Sequence, residues 1–313
     1  MSPVTAPSPT TGDTPRLAGG YCVGVEVGPA LIRAGVFASN GTLVGKTKFS
    51  TKVERGADGV IPRIEKCIRY AVDECDLESE EISAIGIGVP GLVSEESGLI
   101  TKAPQLAWRD VALGPQLEDA LDRPVVVANA HNLGALGVYL QEAKSRPATF
   151  AAIFLGPLIT GGVIADRKWV SLEGQVTEEA YGAALDENVL AAVSRPGFDH
   201  FRSRDFRKAI RRGNEAVREF AVEIASKAGE IAALLINGMA PEMIAIGGGM
   251  LDEMREDALR IIRESAVRAM RTPWPETTSL VASTLGDLAP ITGAGLWAAR
   301  TQTVHAKAAA LVS

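Results

Sequence analysis

The sequence predicts an α/β protein of two lobes, each a sheet flanked by helices, and three observations carry that expectation. Apolar, β-rich stretches alternate with stretches of helical periodicity. The opening pattern of strands recurs halfway along the chain. With 313 residues, 46% of them hydrophobic, there is material for two cores.

The first twenty residues are rich in Pro, Ser, Thr and Gly and lack both the basic start and the apolar run of a secretory signal, so a disordered leader is expected. Residues 21–37, YCVGVEVGPALIRAGVF, give two strands broken at Gly28-Pro29, and residues 43–52 give a third after the Asn40-Gly41 turn. Residues 59–73 place Val60, Ile61, Ile64, Ile68 and Ala71 at helical spacing, and residues 83–91, SAIGIGVPG, read as a buried strand. A helix over 112–121 leads into an apolar strand over 124–127, and helix is expected again over 132–144. Residues 148–165 then repeat the opening with AAIFLG, a turn and GGVIA, as a duplicated lobe would. Helices over 178–194 and 205–237 follow, and a strand over 242–246 ends in Gly247-Gly248-Gly249. A helix over 252–270, a short strand near 279–283 and a helix over 290–300 complete the order. The implied divisions are a leader 1–20, lobes 21–145 and 146–301, and a tail 302–313.

Composition excludes some partners. With 32 Lys+Arg against 38 Asp+Glu the net charge is −6, which gives no general attraction to phosphate backbones or anionic membrane, and no apolar run is long enough to span a bilayer. Neither nucleic acid nor membrane is an expected partner. Cys22, Cys67 and Cys75 form no CxxC pair and no cluster with His131, His200 or His305, so no metal is expected and a reducing cytoplasm fits best. Arg202, Arg204, Arg207, Lys208, Arg211 and Arg212, diluted by Asp199 and Asp205, read as a solvated helix face.

Six stretches in fixed order carry a family likeness: Ile85-Gly-Ile-Gly-Val-Pro-Gly91, Ala103-Pro104 through Trp108, Arg123-Pro-Val-Val-Val127, and residues 214–238, 241–249 and 286–299. Over residues 21–300 the chain resembles the ROK family (repressors, open reading frames and kinases) within the actin-like sugar kinase superfamily. The resemblance implies a two-lobed actin-like ATPase (ribonuclease H-like) fold with a cleft between lobes, a homodimer, and phosphoryl transfer from MgATP to a sugar hydroxyl. Such a reaction needs glycine turns to wrap phosphates with N–H groups, a carboxylate for hydrated magnesium and a base for the hydroxyl proton.

Set against that pattern, the chemistry is depleted. Where the family's first phosphate loop reads Asp, apolar, Gly, Gly, Thr, this chain has Glu26-Val27-Gly28-Pro29-Ala30. Glu26 keeps a carboxylate and Gly28 a turn, but Pro29 has no N–H and Ala30 no hydroxyl. The catalytic segment reads Ala128-Asn129-Ala130-His131-Asn132, with Ala130 in place of the catalytic aspartate. A methyl group accepts no proton, and general-base catalysis is worth about a hundred- to ten-thousand-fold. Asn129 retains a sugar-facing amide; His131 is either a substitute base or a packing residue. The second phosphate loop reads Gly156-Pro157-Leu158-Ile159-Thr160-Gly161-Gly162, again with a proline. Residues 169–194, where the family carries a sugar-clamping Glu-x-Gly-His motif and a zinc knot, hold no His or Cys, so zinc is not expected, and Glu173-Gly174 is the one echo of the clamp. Gly86, Gly88, Pro90 and Gly91 keep a tight strand end, and Gly247, Gly248 and Gly249 match the adenosine-side turn or serve a plain strand-to-helix turn.

The expectation is a pseudokinase with a ligand-binding or regulatory role and no intact catalytic residue, cofactor or metal. Ligand candidates are Asn129, Gly91, His131 and Glu173; nucleotide-side candidates are Glu26, Gly28, Gly156, Gly161, Gly247, Gly248 and Gly249. One alternative is an ATP-dependent hexose kinase, with MgATP as cofactor and the base displaced to Glu26, Asp166 or His131. Another is a structural subunit beside an intact paralogue. A small sugar or polyol, a second copy and a protein partner are the candidate associates. Direct reading of DNA is not expected, since only the short polar leader precedes Tyr21.

Overall fold

The computed structural model describes residues 20–156, 159–165, 168–169, 203–249 and 253–310, and the chain divides into two units, 1–140 with 288–313 and 141–287. The first contains β1 (Tyr21–Val27), β2 (Leu31–Phe37), β3 (Leu43–Ser50), α1 (Gly56–Asp73), β4 (Ile82–Val89), β5 (Leu92–Ser94), β6 (Leu99–Ala103), β7 (Trp108–Ala112), α2 (Leu113–Leu121), β8 (Val125–Asn129) and α3 (Ala130–Gln141). The C-terminal helix, Ala289–Ala310, belongs to it as well. Its main sheet runs β3-β2-β1-β4-β8, with β1, β2 and β3 antiparallel and β4 and β8 parallel to β1.

Alternating side-chain size along β1 and β4 sets the layers. Val23, Val25 and Val27 of β1 and Ile85, Ile87 and Val89 of β4 enter one core, which Ile64, Ile68 and Leu117 of α1 and α2 complete. The residues between them include Gly24, Gly86 and Gly88, on the opposite face, where Cys22 and Ala84 meet Ala298 and Ala299 of the C-terminal helix. Gly24 and Gly86 are register partners. A Cβ on Gly24 would overlap the carbonyl oxygen of Ile291, and one on Gly86 that of Ala294, far inside the 3.0 Å that real Cβ atoms keep. Gly137 of α3 and Gly293 meet in the same way, each pressed on the other helix's backbone. Glycine here removes the atom that would hold the helix off the sheet.

The second unit repeats the sheet. Its strands are β9 (Phe150–Leu155), β10 (Ile159–Ala165), β11 (Lys168–Trp169), β12 (Met243–Gly247) and β13 (Ser279–Ala282), in the order β11-β10-β9-β12-β13. The strand senses match those of the first sheet. Helices α4 (Ser203–Arg211), α5 (Glu215–Met239) and α6 (Arg255–Met270) accompany it. Ile153, Leu155, Ile244 and Ile246 share a core with Phe220, Ile224 and Ile231 of α5 and Ile262 of α6. The duplication read from residues 148–165 is therefore one of topology. Among the described residues no helix is long and apolar enough to cross a membrane.

Several boundaries differ from expectation. The sequence places the terminal helix in a second lobe ending at 301 with a tail beyond; in the fold it continues to Ala310 and groups with the first unit, and the division falls at 140/141 beside the expected 145/146. Its glycines complement those of β1, β4 and α3, a match between segments distant in the chain that periodicity does not register. The single helical run over 205–237 breaks at Gly213, with φ of 71°, and Asn214, whose side chain caps α5 by accepting from Val217 N at 3.1 Å. The small sheet β5-β6-β7 was not anticipated, because its strands are three to five residues long. The leader up to residue 19 and the helix expected over 178–194 lie outside the described residues.

Gly86→Ala is expected to lower the unfolding free energy by about 1–3 kcal/mol, since backbone must move to admit the methyl. Gly238→Ala, late in α5 with nothing within 4 Å of the added Cβ, is expected to raise it, by about 0.5–1 kcal/mol. Urea titrations of the two variants, followed by circular dichroism, check both signs.

Candidate functional site

In the first unit the sequence-selected residues gather at the C-terminal ends of the parallel strands, where open α/β sheets bind ligands. Glu26 of β1 lies opposite Gly88 of β4, and Val89 opposite Asn129 of β8. The Asn129 amide is engaged on both sides. Its Oδ1 accepts from the backbone N of His131 at 2.9 Å and of Asn132 at 3.3 Å, capping α3, and its Nδ2 donates to the Gly91 carbonyl at 2.9 Å. One N–H of Nδ2 lies beyond these three bonds. Gly91 has φ of 110°, and a Cβ there would strike the Lys102 carbonyl, so this turn is open to glycine alone.

Ala130, the first residue of α3, is 3% exposed. Its methyl lies 3.2 Å from where a Cβ on Gly88 would stand, with Leu133 at the same distance. His131 is half-buried, and desolvation pushes its imidazole down from 6.5 to about 4. It is neutral near neutral pH, and with so low a pKa it is a weak proton acceptor.

Glu26 is ion-paired. Arg33 Nη1 donates to Glu26 Oε2 at 2.6 Å across the β1–β2 register, with the two side chains 25% and 19% exposed. The turn beyond them is closed on itself: the Gly28 N–H donates to the Leu31 carbonyl at 2.9 Å, and Thr51 Oγ1 donates to the Gly28 carbonyl at 2.6 Å. Pro29 adds no donor, so Gly28 and Pro29 present no N–H outward. Residue patterns did not single out Arg33 or Thr51, yet the Arg33 signal was present. With Pro29-Ala30 at the turn, Glu26 and Arg33 stand three residues to either side and must pair.

In the second unit Gly156, Gly247 and Gly248 lie at strand ends. Gly156 follows β9, and Gly247 ends β12, where a Cβ would press on the Phe154 ring at 2.8 Å. Gly248, with φ of 99°, leaves no room for a Cβ against the backbone of Leu155. Gly249 accepts from Arg207 Nη1 at 3.5 Å. Gly161 is not in a loop. It lies inside β10 opposite Ile153, packed on the Ala152 carbonyl, so hairpin packing accounts for that glycine. Gly247 and Gly248 are likewise accounted for by the approach of β12 to β9. Pro157, Leu158, Asp166, Glu173 and residues 170–194 lie outside the described residues. Among the described residues no three His, Cys, Asp or Glu side chains cluster to hold a metal.

Comparison with known proteins agrees with this architecture. The model of the ROK family matches residues 22–180 and 172–301. A glucokinase of Halalkalibacterium halodurans is 28% identical over 47% of this chain and 44% of its own length. A xylose repressor of Caldicellulosiruptor bescii is 24% identical over 73% of this chain and 65% of its own length. This chain thus spans less than two thirds of either relative. A glucokinase of Streptomyces coelicolor is 26% identical over 88% of this chain and 96% of its own length. Among solved structures, a ROK family glucokinase from Streptomyces griseus in complex with glucose and AMPPNP superposes with a TM-score of 0.71 at 24% identity, covering 90% of this chain and 100% of that one.

Two outcomes follow from the cap. Asn129→Ala is expected to cost about 1–2 kcal/mol in urea unfolding, since it removes the α3 cap and the Gly91 tether together. His131 is held below its unfolded value, so its contribution to stability is full above pH 6.5 and is lost as pH falls toward 4. Melting temperatures between those limits are expected to fall less steeply in His131→Gln than in the parent chain.

Proposed function

The chain belongs to the ROK family, and from that premise we propose that it is a sugar-kinase-like protein that binds a ligand or regulates a partner without transferring phosphoryl groups. Ala130 carries the proposal. The position that corresponds to the family's general base holds a methyl group, 3% exposed and packed on Gly88. Among the described candidates, neither His131 nor Glu26 replaces it. His131 is a poor base with its pKa near 4, and Glu26 is tied to Arg33.

Among the described residues, the first loop and Glu26 do not suit a magnesium nucleotide. Gly28 donates its N–H within its own turn and Pro29 has none, so the first loop lacks the row of outward donors that cradles phosphate. A cation at Glu26 would have to displace a guanidinium at 2.6 Å. Retained fold and lost chemistry are compatible, because function resides in the site rather than in the scaffold.

The ligand proposed is a small sugar or polyol, met by the remaining Asn129 N–H and the strand-end turn at Gly91. The names of the relatives, glucokinase and xylose repressor, support that class. A cytoplasmic homodimer is the proposed form, on the family resemblance. Titration calorimetry with MgATP and, separately, with a panel of hexoses, pentoses and polyols tests the reading. At least one sugar or polyol is expected to bind saturably and MgATP is not; micromolar MgATP binding contradicts the proposal. Ala130→Asp is expected to remain without sugar-kinase activity, because the first loop is unchanged; robust phosphorylation by that variant contradicts it equally.

A further inference from the structure

The main sheet of the first unit ends on β3, and no described strand lies beyond it. One bond sets the phase of its ladder. Thr51 N donates to the Ala30 carbonyl at 3.0 Å, so by alternation Phe49, Thr47 and Gly45 bond to Ile32, Ala34 and Val36, their register partners on β2. The N–H and C=O groups of Lys46, Lys48 and Ser50 therefore point away from the sheet. Arg63 of α1 takes the Ser50 carbonyl, through Nε at 2.9 Å and Nη2 at 2.7 Å. Lys46 and Lys48 are left with open backbone on that edge, a template for one more strand.

The side chains along the edge select what can pair with it. Lys46 and Lys48 are exposed on one face of β3, about 7 Å apart along the strand. Arg63 at the end of the edge and Lys66, whose Nζ lies 5.7 Å from the Tyr70 ring centroid, add two cations. Among the described residues none of these four is ion-paired with a carboxylate. Glu74 and Asp76 bear on Cys75, beside Gly45 at the other end, so positive charge gathers over residues 46–50. Tyr70, 47% exposed and set edge-on to Phe49 at 5.5 Å, supplies apolar surface next to it. A second copy of β3 laid antiparallel on this edge would place lysine opposite lysine, which is destabilising. Carboxylates at alternate positions would meet the lysines instead, and the same lysines turn basic or wholly apolar strands away.

The geometry points to strand addition at β3 by a partner protein, through an extended acidic segment of about five residues with carboxylates at alternate positions. The segment pairs with the backbone of Lys46 and Lys48, its carboxylates lie over their ammonium groups, and Arg63 marks where the pairing stops. Pairing at this edge is independent of sugar binding at the strand ends.

The probe is the capped peptide Glu-Val-Glu-Val-Glu-Val, titrated into the full chain and followed through the protein's amide NMR shifts. Two control peptides leave the protein unaltered: Lys-Val-Lys-Val-Lys-Val, and the acidic peptide N-methylated throughout, which keeps the charge and removes every ladder donor. Saturable shifts at residues 44–50 are expected with the acidic peptide, and binding weaker by about tenfold for each control and for the double variant Lys46→Glu, Lys48→Glu. Absence of saturable binding, or shifts confined to other parts of the chain, overturns the inference. So does equal affinity for the N-methylated peptide, which marks charge attraction without strand pairing, or unchanged affinity in a folded double variant.

Discussion

The backbone of the C-terminal helix rests directly on the main chain of β1 and β4, and the architecture of the first unit depends on that approach. Gly24 and Gly86 are neighbours in register, and each presents no side chain to the helix. Gly137 and Gly293 bring α3 against the same helix. The helix, α3 and the sheet therefore form one packed block in which an added methyl has nowhere to go. The N-terminus of α3 is carried onto Gly88, so residue 130 is a packing position as much as a chemical one. A small apolar residue suits the packing; a proton acceptor would have to be buried with it. On the proposed reading, the alanine meets the demand of the scaffold after the demand of catalysis has gone.

Electrostatics at the strand ends follow the same logic. A half-buried carboxylate such as that of Glu26 is costly unless compensated, and Arg33 compensates it from the adjoining strand. Removing either partner alone would leave a poorly solvated charge. His131 settles the other way. Desolvation holds it neutral, and its half-buried position at the start of α3 is that of a packing group.

Much of the fold was legible in the sequence because the signals are local. The alternation of Ile and Gly in residues 85–88 encodes both a strand and the two unlike faces it presents, and the recurrence at 148–165 encodes the second sheet. The ownership of the C-terminal helix was not legible, since it rests on complementarity between Gly24, Gly86, Gly137 and Gly293, which are distant in the chain. At the site, the absence of a base at Ala130 and of an N–H at Pro29 is a property of residue type and can be read directly. Three-dimensional partners cannot: that Asn129 serves as a helix cap, that Gly28 bonds to Leu31 and that Thr51 closes the turn are relations set by folding. Gly161, Gly247 and Gly248 show the converse, glycines whose lack of a side chain strand packing also requires.

On the proposed reading a ROK scaffold has been kept while its phosphoryl-transfer site has not. Phosphorus-31 NMR of the purified chain incubated with MgATP and each sugar that it binds tests this most directly, because product and nucleotide are seen in one spectrum. The expected result is γ-phosphate signals that decay no faster than in a protein-free control and no sugar-phosphate resonance. Many turnovers of sugar phosphate, formed with matching ADP, would contradict it.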